Sequence, residues 1–383
     1  MKWKNKGHEF DDFIKVWNIN EEYYIWGASN SGKRFFDKFK DILNIKGFID
    51  SDENKYNHKI GSKDIFSFEY VRSDIPKTKI IVASQAYYEI STILKKLGYI
   101  ENVDFCNSNV FTSTHFMYNH NKLYLYRMDI SLTNRCTLKC KKCNMLMPYF
   151  EKPMHKSISS IKENIDLYFK WVDNVETIKL LGGEPTLYPH LIEVIEYLNE
   201  KYKDKIENID IFSNGTVKLS EEILKVLEIN NVTVQISDYS NTLENLKSKV
   251  DLFEEQLKDN NIKYIRLKHD KWLDFIPEDN CKINSTQEQL EDKFNKCNPP
   301  FRGLHDKKLY YCHLSTSAVQ AEVFEDNNND YFDLSKYNED RKIELMEFNL
   351  GYNEIGYITY CKRCNGCDSV NNRFTNVAEQ VKK

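Results

Sequence analysis

Cys136-Thr137-Leu138-Lys139-Cys140-Lys141-Lys142-Cys143 follows closely on the strand-like segment Leu123–Leu132. Three thiolates on one short loop can bind three corners of a [4Fe–4S] cube, leaving the fourth iron open to a small chelating molecule. A closed structural zinc site needs four ligands, usually as two paired hooks, and this loop supplies three. Around the loop, strand-like segments Leu123–Leu132, Thr177–Leu181, Ile209–Ser213, Val232–Ser237 and Tyr264–Leu267 recur. Helical stretches Ser160–Val172, Leu191–Tyr202, Glu221–Leu227 and Glu244–Asn260 separate them. Repeated βα units of this spacing predict a parallel sheet curled into a partial (β/α)6 barrel of TIM type. Five strands are distinct, and a sixth is not evident before Cys297.

Three more motifs end successive strands: Gly182-Gly183-Glu184-Pro185, Ser213-Asn214-Gly215-Thr216 and Ile236-Ser237-Asp238. Gly182 and Gly183 let the backbone approach a ligand at the C-terminal edge of the strands, where barrels build their sites. Together with the cysteine loop, in this order, they resemble the radical S-adenosylmethionine (radical SAM) superfamily over residues 122–270. The resemblance implies that Cys136, Cys140 and Cys143 hold a [4Fe–4S] cluster whose open iron chelates S-adenosylmethionine. It implies further that Gly182, Gly183 and Glu184 meet the methionine amino group, with Ser213, Asn214 and Ser237 as further cofactor contacts. Three features depart from the family pattern. Lys142 stands where an aromatic residue is usual, and Ser237-Asp238-Tyr239 replaces Ser-x-Asp-Gly. Arg266, on the fifth strand, lies away from the usual carboxylate-binding neighbourhood.

Beyond the barrel, Cys297, Cys312, Cys361, Cys364 and Cys367 form a second set. Four thiolates from two hairpin-like segments can close a cluster completely. A structural zinc knot is the competing reading, because C-x2-C pairs are common zinc hooks. The pattern resembles the auxiliary-cluster module called twitch, the short relative of the SPASM domain, with Lys307 where that module usually has glycine. It implies a second [4Fe–4S] cluster on Cys297, Cys312, Cys361 and Cys364, with Cys367 the fifth candidate. Cys281 is either a buried thiol or, facing the site, a hydrogen-atom donor.

The 383 residues divide on this reading into 1–115, 116–290 and 291–383. The first segment alternates strands Tyr23–Trp26, Ile45–Ile49 and Lys79–Ser84 with helices Lys33–Leu43 and Tyr87–Leu97, which predicts a small Rossmann-like parallel sheet. Its turn Gly27 to Gly32 fits neither a P-loop, since Arg34 replaces Ser or Thr, nor G-x-G-x-x-G. Either it is a tight turn that binds nothing, or it receives a phosphate with Asp50 reading a ribose. The block resembles the small Rossmann-like domains attached to bacterial surface-carbohydrate enzymes.

Lys and Arg total 54 against 58 Asp and Glu, a net charge of −4 that argues against nucleic-acid binding by bulk charge. No apolar run approaches the ~18 residues of a membrane span. The charged N-terminus has no apolar region behind it, so a cytoplasmic protein with reduced thiols is expected. The resemblance implies reductive cleavage of S-adenosylmethionine and hydrogen-atom abstraction, fed by a donor such as flavodoxin or ferredoxin. The expected substrate is a small polar molecule, carbohydrate or sugar nucleotide, undergoing dehydrogenation or epimerisation. A ribosomally made peptide is the alternative, and a non-catalytic iron–sulfur or zinc-binding module the third reading.

Overall fold

A computed structural model describes residues 1–74, 78–276, 284–297, 301–367 and 370–381. The chain forms two compact units, Asn5–Lys122 and Met1–Lys4 with Leu123–Lys383.

The smaller unit contains α1 (Asp11–Val16), β1 (Glu22–Trp26), α2 (Asn30–Phe39), β2 (Asn44–Ile49), β3 (Lys59–Ile60) and β4 (Lys63–Phe66). After them come α3 (Phe68–Val71), β5 (Thr78–Val82), α4 (Tyr87–Lys96), β6 (Phe105–Asn107) and α5 (Ser108–His120). The sheet order is β3-β4-β2-β1-β5-β6, parallel throughout except for β3. The central strands read as continuous apolar runs because both faces are covered: Tyr24, Ile80, Val82 and Phe105 share one core with Leu94 of α4.

The β1–α2 turn needs its glycines for packing. Gly27 sits at φ +124°, and a Cβ on Gly32 would lie 1.8 Å from the Gly27 carbonyl oxygen. Asp50 is committed within the same turn region. Its carboxylate accepts the N–H of Ala28 at 2.8 Å and of Asp52 at 2.9 Å, and pairs with Lys55 at 3.0 Å. Burial works against its charge, but these bonds hold its pKa below the usual carboxylate value. The carboxylate thus ties the loop after β2 to the β1–α2 turn. Helix α5 was not legible as a helix. Asn107 caps it through the Asn109 N–H, and it buries Thr112, Ser113, Thr114 and His115, too polar a face for hydrophobic periodicity to reveal.

The larger unit opens with β7 (Tyr124–Thr133), α6 (Ile158–Trp171), β8 (Asn174–Gly182), α7 (Leu191–Tyr202), β9 (Ile206–Ser213) and α8 (Glu221–Ile229). It continues with β10 (Thr233–Asp238), α9 (Lys247–Asp259), β11 (Tyr264–Lys268), β12 (Lys271–Leu273), α10 (Gln287–Lys296) and β13 (Gly303–His305). Last are β14 (Lys308–Tyr310), α11 (His313–Gln320), β15 (Tyr331–Asp333), α12 (Lys342–Asn349) and β16 (Phe374–Asn376).

The main sheet runs β11-β10-β9-β8-β7-β13-β14-β15. It is parallel from β11 to β13, and β14 and β15 add antiparallel. The sixth parallel strand therefore comes from beyond Cys297 and joins at the β7 edge, next to Asp129 and Ile130. This open βα half-barrel brings the four motif loops to the C-terminal ends of neighbouring strands. A separate ribbon pairs β12 with β16. Among the described residues, no helix is long and apolar enough to cross a membrane.

Candidate radical-cluster site

The cysteine loop lies directly against the Gly182-Gly183-Glu184 segment. Gly183 N–H donates to the Thr133 carbonyl and Glu184 N–H to the Arg135 carbonyl, both at 2.8 Å. Side chains have no room here. A Cβ on Gly182 would meet Thr133 O at 2.3 Å, and one on Gly183 would meet Arg135 O at 2.2 Å. Gly182 also holds φ +148°.

Glu184 is fully buried. Its Oε1 accepts from Ser213 Oγ at 2.8 Å, Thr186 Oγ1 at 2.7 Å and Thr186 N at 3.2 Å, while Oε2 accepts from Asn214 N at 2.8 Å. Burial raises the carboxyl pKa and these donors oppose the rise. The carboxylate thus ties the loop after β8 to the loop after β9. Asn214 then reaches the cysteine loop, donating from Nδ2 to Thr137 Oγ1 at 3.0 Å and pointing at Cys136 Sγ from 3.7 Å. Thr137 and Thr216 hydroxyls meet at 2.6 Å.

Each of the three thiols is held in a low-dielectric place. Burial pushes Cys136 up to about 12, Cys140 up to about 11, and Cys143 upward as well. Amide donors already face the sulfurs: Leu138 N–H on Cys136 at 3.4 Å and Gln380 Nε2 on Cys140 at 3.4 Å. Backbone N–H groups of Met147, Met145 and Leu146 act on Cys143. Buried sulfurs ringed by N–H donors suit thiolates whose charge is taken up by iron, so the donor chemistry fits a [4Fe–4S] cluster. Among the described residues, no three His, Cys, Asp or Glu side chains enclose a single-ion site.

Lys141 and Lys142 of the loop are taken up by partners of their own. Lys142 binds Asp274 and the Ile276 carbonyl, both at 2.8 Å, and Lys141 pairs with Glu379 at 2.8 Å. Arg266 is likewise occupied, spanning Asp238, Asp251 and Glu254. Ser237, near the end of β10, precedes Tyr239, whose ring packs beside Cys140 and Cys143 and edge-on to Trp272 at 5.3 Å. Sequence reasoning missed Thr137, Thr216, Tyr239 and Gln380. Thr216 belongs to the Ser213-Asn214-Gly215-Thr216 motif, whereas Gln380 carries no local signal.

The second cysteine set converges. Cys297, Cys312, Cys361, Cys364 and Cys367 line one cavity, with about 460 Å³ of atom-free space that includes its opening to solvent. Phe275, Phe294, Phe301, Tyr311 and Tyr360 share its wall. Burial raises the Cys297, Cys361 and Cys364 thiols and pushes Cys312 up to about 12. Lys293 caps the wall by donating to the carbonyls of Cys361 and Cys364, and Gly366 N–H donates to Cys364 Sγ at 3.3 Å. Cys281 lies outside the described residues.

A smaller cavity, with about 220 Å³ of atom-free space, is built from both halves of the unit. Ser131 and Leu181 come from strand ends, Met145 from the cysteine loop, and His313, Ser317 and Gln320 from α11. His313 is buried with neither ring nitrogen partnered, and burial together with Arg127 keeps it neutral by depressing its pKa to about 3.

Residues 130–258 match the profile of the Radical SAM superfamily. A stretch of 227 residues is 26% identical to the antilisterial bacteriocin subtilosin biosynthesis protein AlbA of Bacillus subtilis (strain 168), covering 54% of this chain and 46% of that protein. A shorter stretch is 32% identical over 112 residues to a GTP 3',8-cyclase of Syntrophomonas wolfei, covering 28% of this chain and 33% of the cyclase. The chain thus spans less than half the length of either relative. The solved structure of native anSMEcpe with bound AdoMet and Cp18Cys peptide is similar at a TM-score of 0.42 and 15% identity, over 64% of this chain and 89% of that one. The chain therefore carries a radical SAM domain over residues 130–258, of the family that works with a [4Fe–4S] cluster and S-adenosylmethionine.

Proposed function

We propose that the protein is a radical SAM enzyme that abstracts a hydrogen atom from a small polar substrate, with dehydrogenation or epimerisation as the outcome. The observation that carries this reading is the small cavity of mixed lining, where the polar ends of Ser131, His313, Ser317 and Gln320 stand among Met145, Leu181 and Leu304. It is lined by Met145, two residues after Cys143, and by His313, next to Cys312, so it adjoins both cysteine sets. Bound to Cys136, Cys140 and Cys143, the cluster with S-adenosylmethionine supplies the power to break an unactivated C–H bond. The chain's own residues position and shield. Glu184 holds Ser213 and Asn214 in place, Gly182 and Gly183 admit the cysteine loop, and Ser237 stands at the strand end expected to face the cofactor.

In this reading Cys297, Cys312, Cys361 and Cys364 ligate an auxiliary [4Fe–4S] cluster, with Cys367 as the fifth thiol at its wall. A carbohydrate or sugar nucleotide is the favoured substrate class. A peptide is the second reading, favoured by the likeness over 54% of the chain to a protein named for bacteriocin biosynthesis.

Anaerobic reconstitution with iron and sulfide, followed by an assay for 5′-deoxyadenosine, tests the enzyme reading. The wild type should form it, and the Cys136/Cys140/Cys143→Ala variant should not. Unchanged cleavage by that variant would remove the assignment of the loop.

A further inference from the structure

The segment after β16 runs back to the cysteine loop. Val377 and Ala378 are buried against Cys140, within a group that includes Leu138, Cys143, Tyr239 and Trp272. The backbone then pairs with the loop itself. Lys141 N–H donates to Glu379 O at 2.7 Å, Val381 N–H donates to Lys139 O at 2.8 Å, and Cys140 stands opposite Gln380 in an antiparallel bridge.

Between these bonds the Gln380 side chain reaches the loop. Its Oε1 accepts the Lys139 N–H at 2.8 Å. Its Nε2 donates to Ala378 O at 2.7 Å and lies 3.4 Å from Cys140 Sγ. Turning the amide over would face Oε1 with a carbonyl and Nε2 with an N–H, so the network fixes which end meets the sulfur.

We propose that Gln380 is a positioning residue for the radical-forming cluster: the tail clamps the cysteine loop and presents an N–H donor to the Cys140 thiolate. The proposal rests on the reading of Cys136, Cys140 and Cys143 as cluster ligands. An N–H bond to a coordinating sulfur stabilises the more negative, reduced form of a cluster and so raises its reduction potential. Cys136 receives its donors from Leu138 and Asn214 within the barrel, whereas Cys140 receives its side-chain donor from the tail. The residues following the second cysteine set thereby help to set the chemistry of the first.

Two variants in the full chain separate this role from packing. Gln380→Met keeps the volume and removes donor and acceptor. Gln380→Glu keeps the acceptor for Lys139 N–H while removing the donor. After anaerobic reconstitution, redox titration followed by EPR reads the signal that moves when S-adenosylmethionine is added. Both variants should shift the one-electron equilibrium toward the oxidised form by about tenfold, ~59 mV. Gln380→Glu should keep wild-type iron content, with a lower unfolding midpoint because its second oxygen faces the Ala378 carbonyl. Wild-type potential and spectrum in Gln380→Glu overturn the proposal, even if Gln380→Met fails to hold iron. So does loss of iron from Gln380→Glu, which would make the tail a purely structural brace. If the Cys136/Cys140/Cys143→Ala variant keeps the signal that responds to S-adenosylmethionine, the ligand reading itself falls, independently of Gln380.

Discussion

The backbone N–H of Asn214 donates to Glu184 Oε2 at 2.8 Å in a fully buried position, joining the loops that follow two adjacent strands. All four groups around this carboxylate are donors: two backbone N–H groups and the hydroxyls of Ser213 and Thr186. Glu184→Gln turns one acceptor into an NH2 group that faces them, stranding a buried donor. Such a loss costs about 1–3 kcal/mol. The variant should unfold at lower denaturant concentration and lose S-adenosylmethionine cleavage with the distorted Asn214 loop. A wild-type unfolding midpoint would show that the carboxylate does not organise these loops.

Gly183→Ala should act on the cysteine loop before it acts on stability. The added methyl would sit 2.2 Å from Arg135 O and 3.0 Å from Cys136 Cβ, so the backbone leading into the loop must move. Iron at the three-cysteine site should fall while iron at the second site stays. Iron analysis of Gly183→Ala against the triple cysteine variant measures this, and full occupancy would contradict the steric argument.

Much of the site was readable because its chemistry demands residue identity at short range. The cysteine spacing, the Gly182-Gly183 pair and Ser213-Asn214 each announce a loop at a strand end, and the structure gathers those loops. What stayed hidden depends on distance along the chain. Gln380 meets Cys140 across 240 positions, and nothing in either local sequence signals the other. The sixth parallel strand was obscured for a similar reason: β13 is three residues long and joins the far edge of the sheet. Lys141 and Lys142 pair with Glu379 and Asp274, acidic partners that the loop's own sequence does not announce.

Removing the ammonium of Lys293 should loosen the second cysteine set. Its Nζ donates to the carbonyls of both Cys361 and Cys364, joining the segment that bears them to α10, which ends just before Cys297. Lys293→Met keeps the stem and leaves both carbonyls short of a donor. On the two-cluster reading, anaerobic iron content should drop from about eight toward about four per chain. Cleavage of S-adenosylmethionine without substrate should persist, since the three-cysteine site is untouched. About four irons with one zinc in the wild type would instead support a structural zinc knot.

His115 offers a pH test confined to the smaller unit. Its ring stacks on Phe111 and meets Phe39 edge-on at 5.3 Å. Nε2 is buried without a partner, and Asn119 Nδ2 lies 3.2 Å from Nδ1. Burial first, then repulsion from His120, lowers its pKa from 6.5 to about 4. The folded chain therefore keeps this ring neutral while the unfolded chain takes up a proton near pH 6.5. Stability from this group is complete above pH 6.5, declines as pH falls, and levels off below about pH 4. The whole effect is about 3 kcal/mol at ~1.36 kcal/mol per pKa unit. NMR titration of the His115 ring should give a midpoint near 4, and His115→Phe should flatten that part of the acid limb. A midpoint near 6.5 would mean that water reaches the ring and that α5 does not seal it.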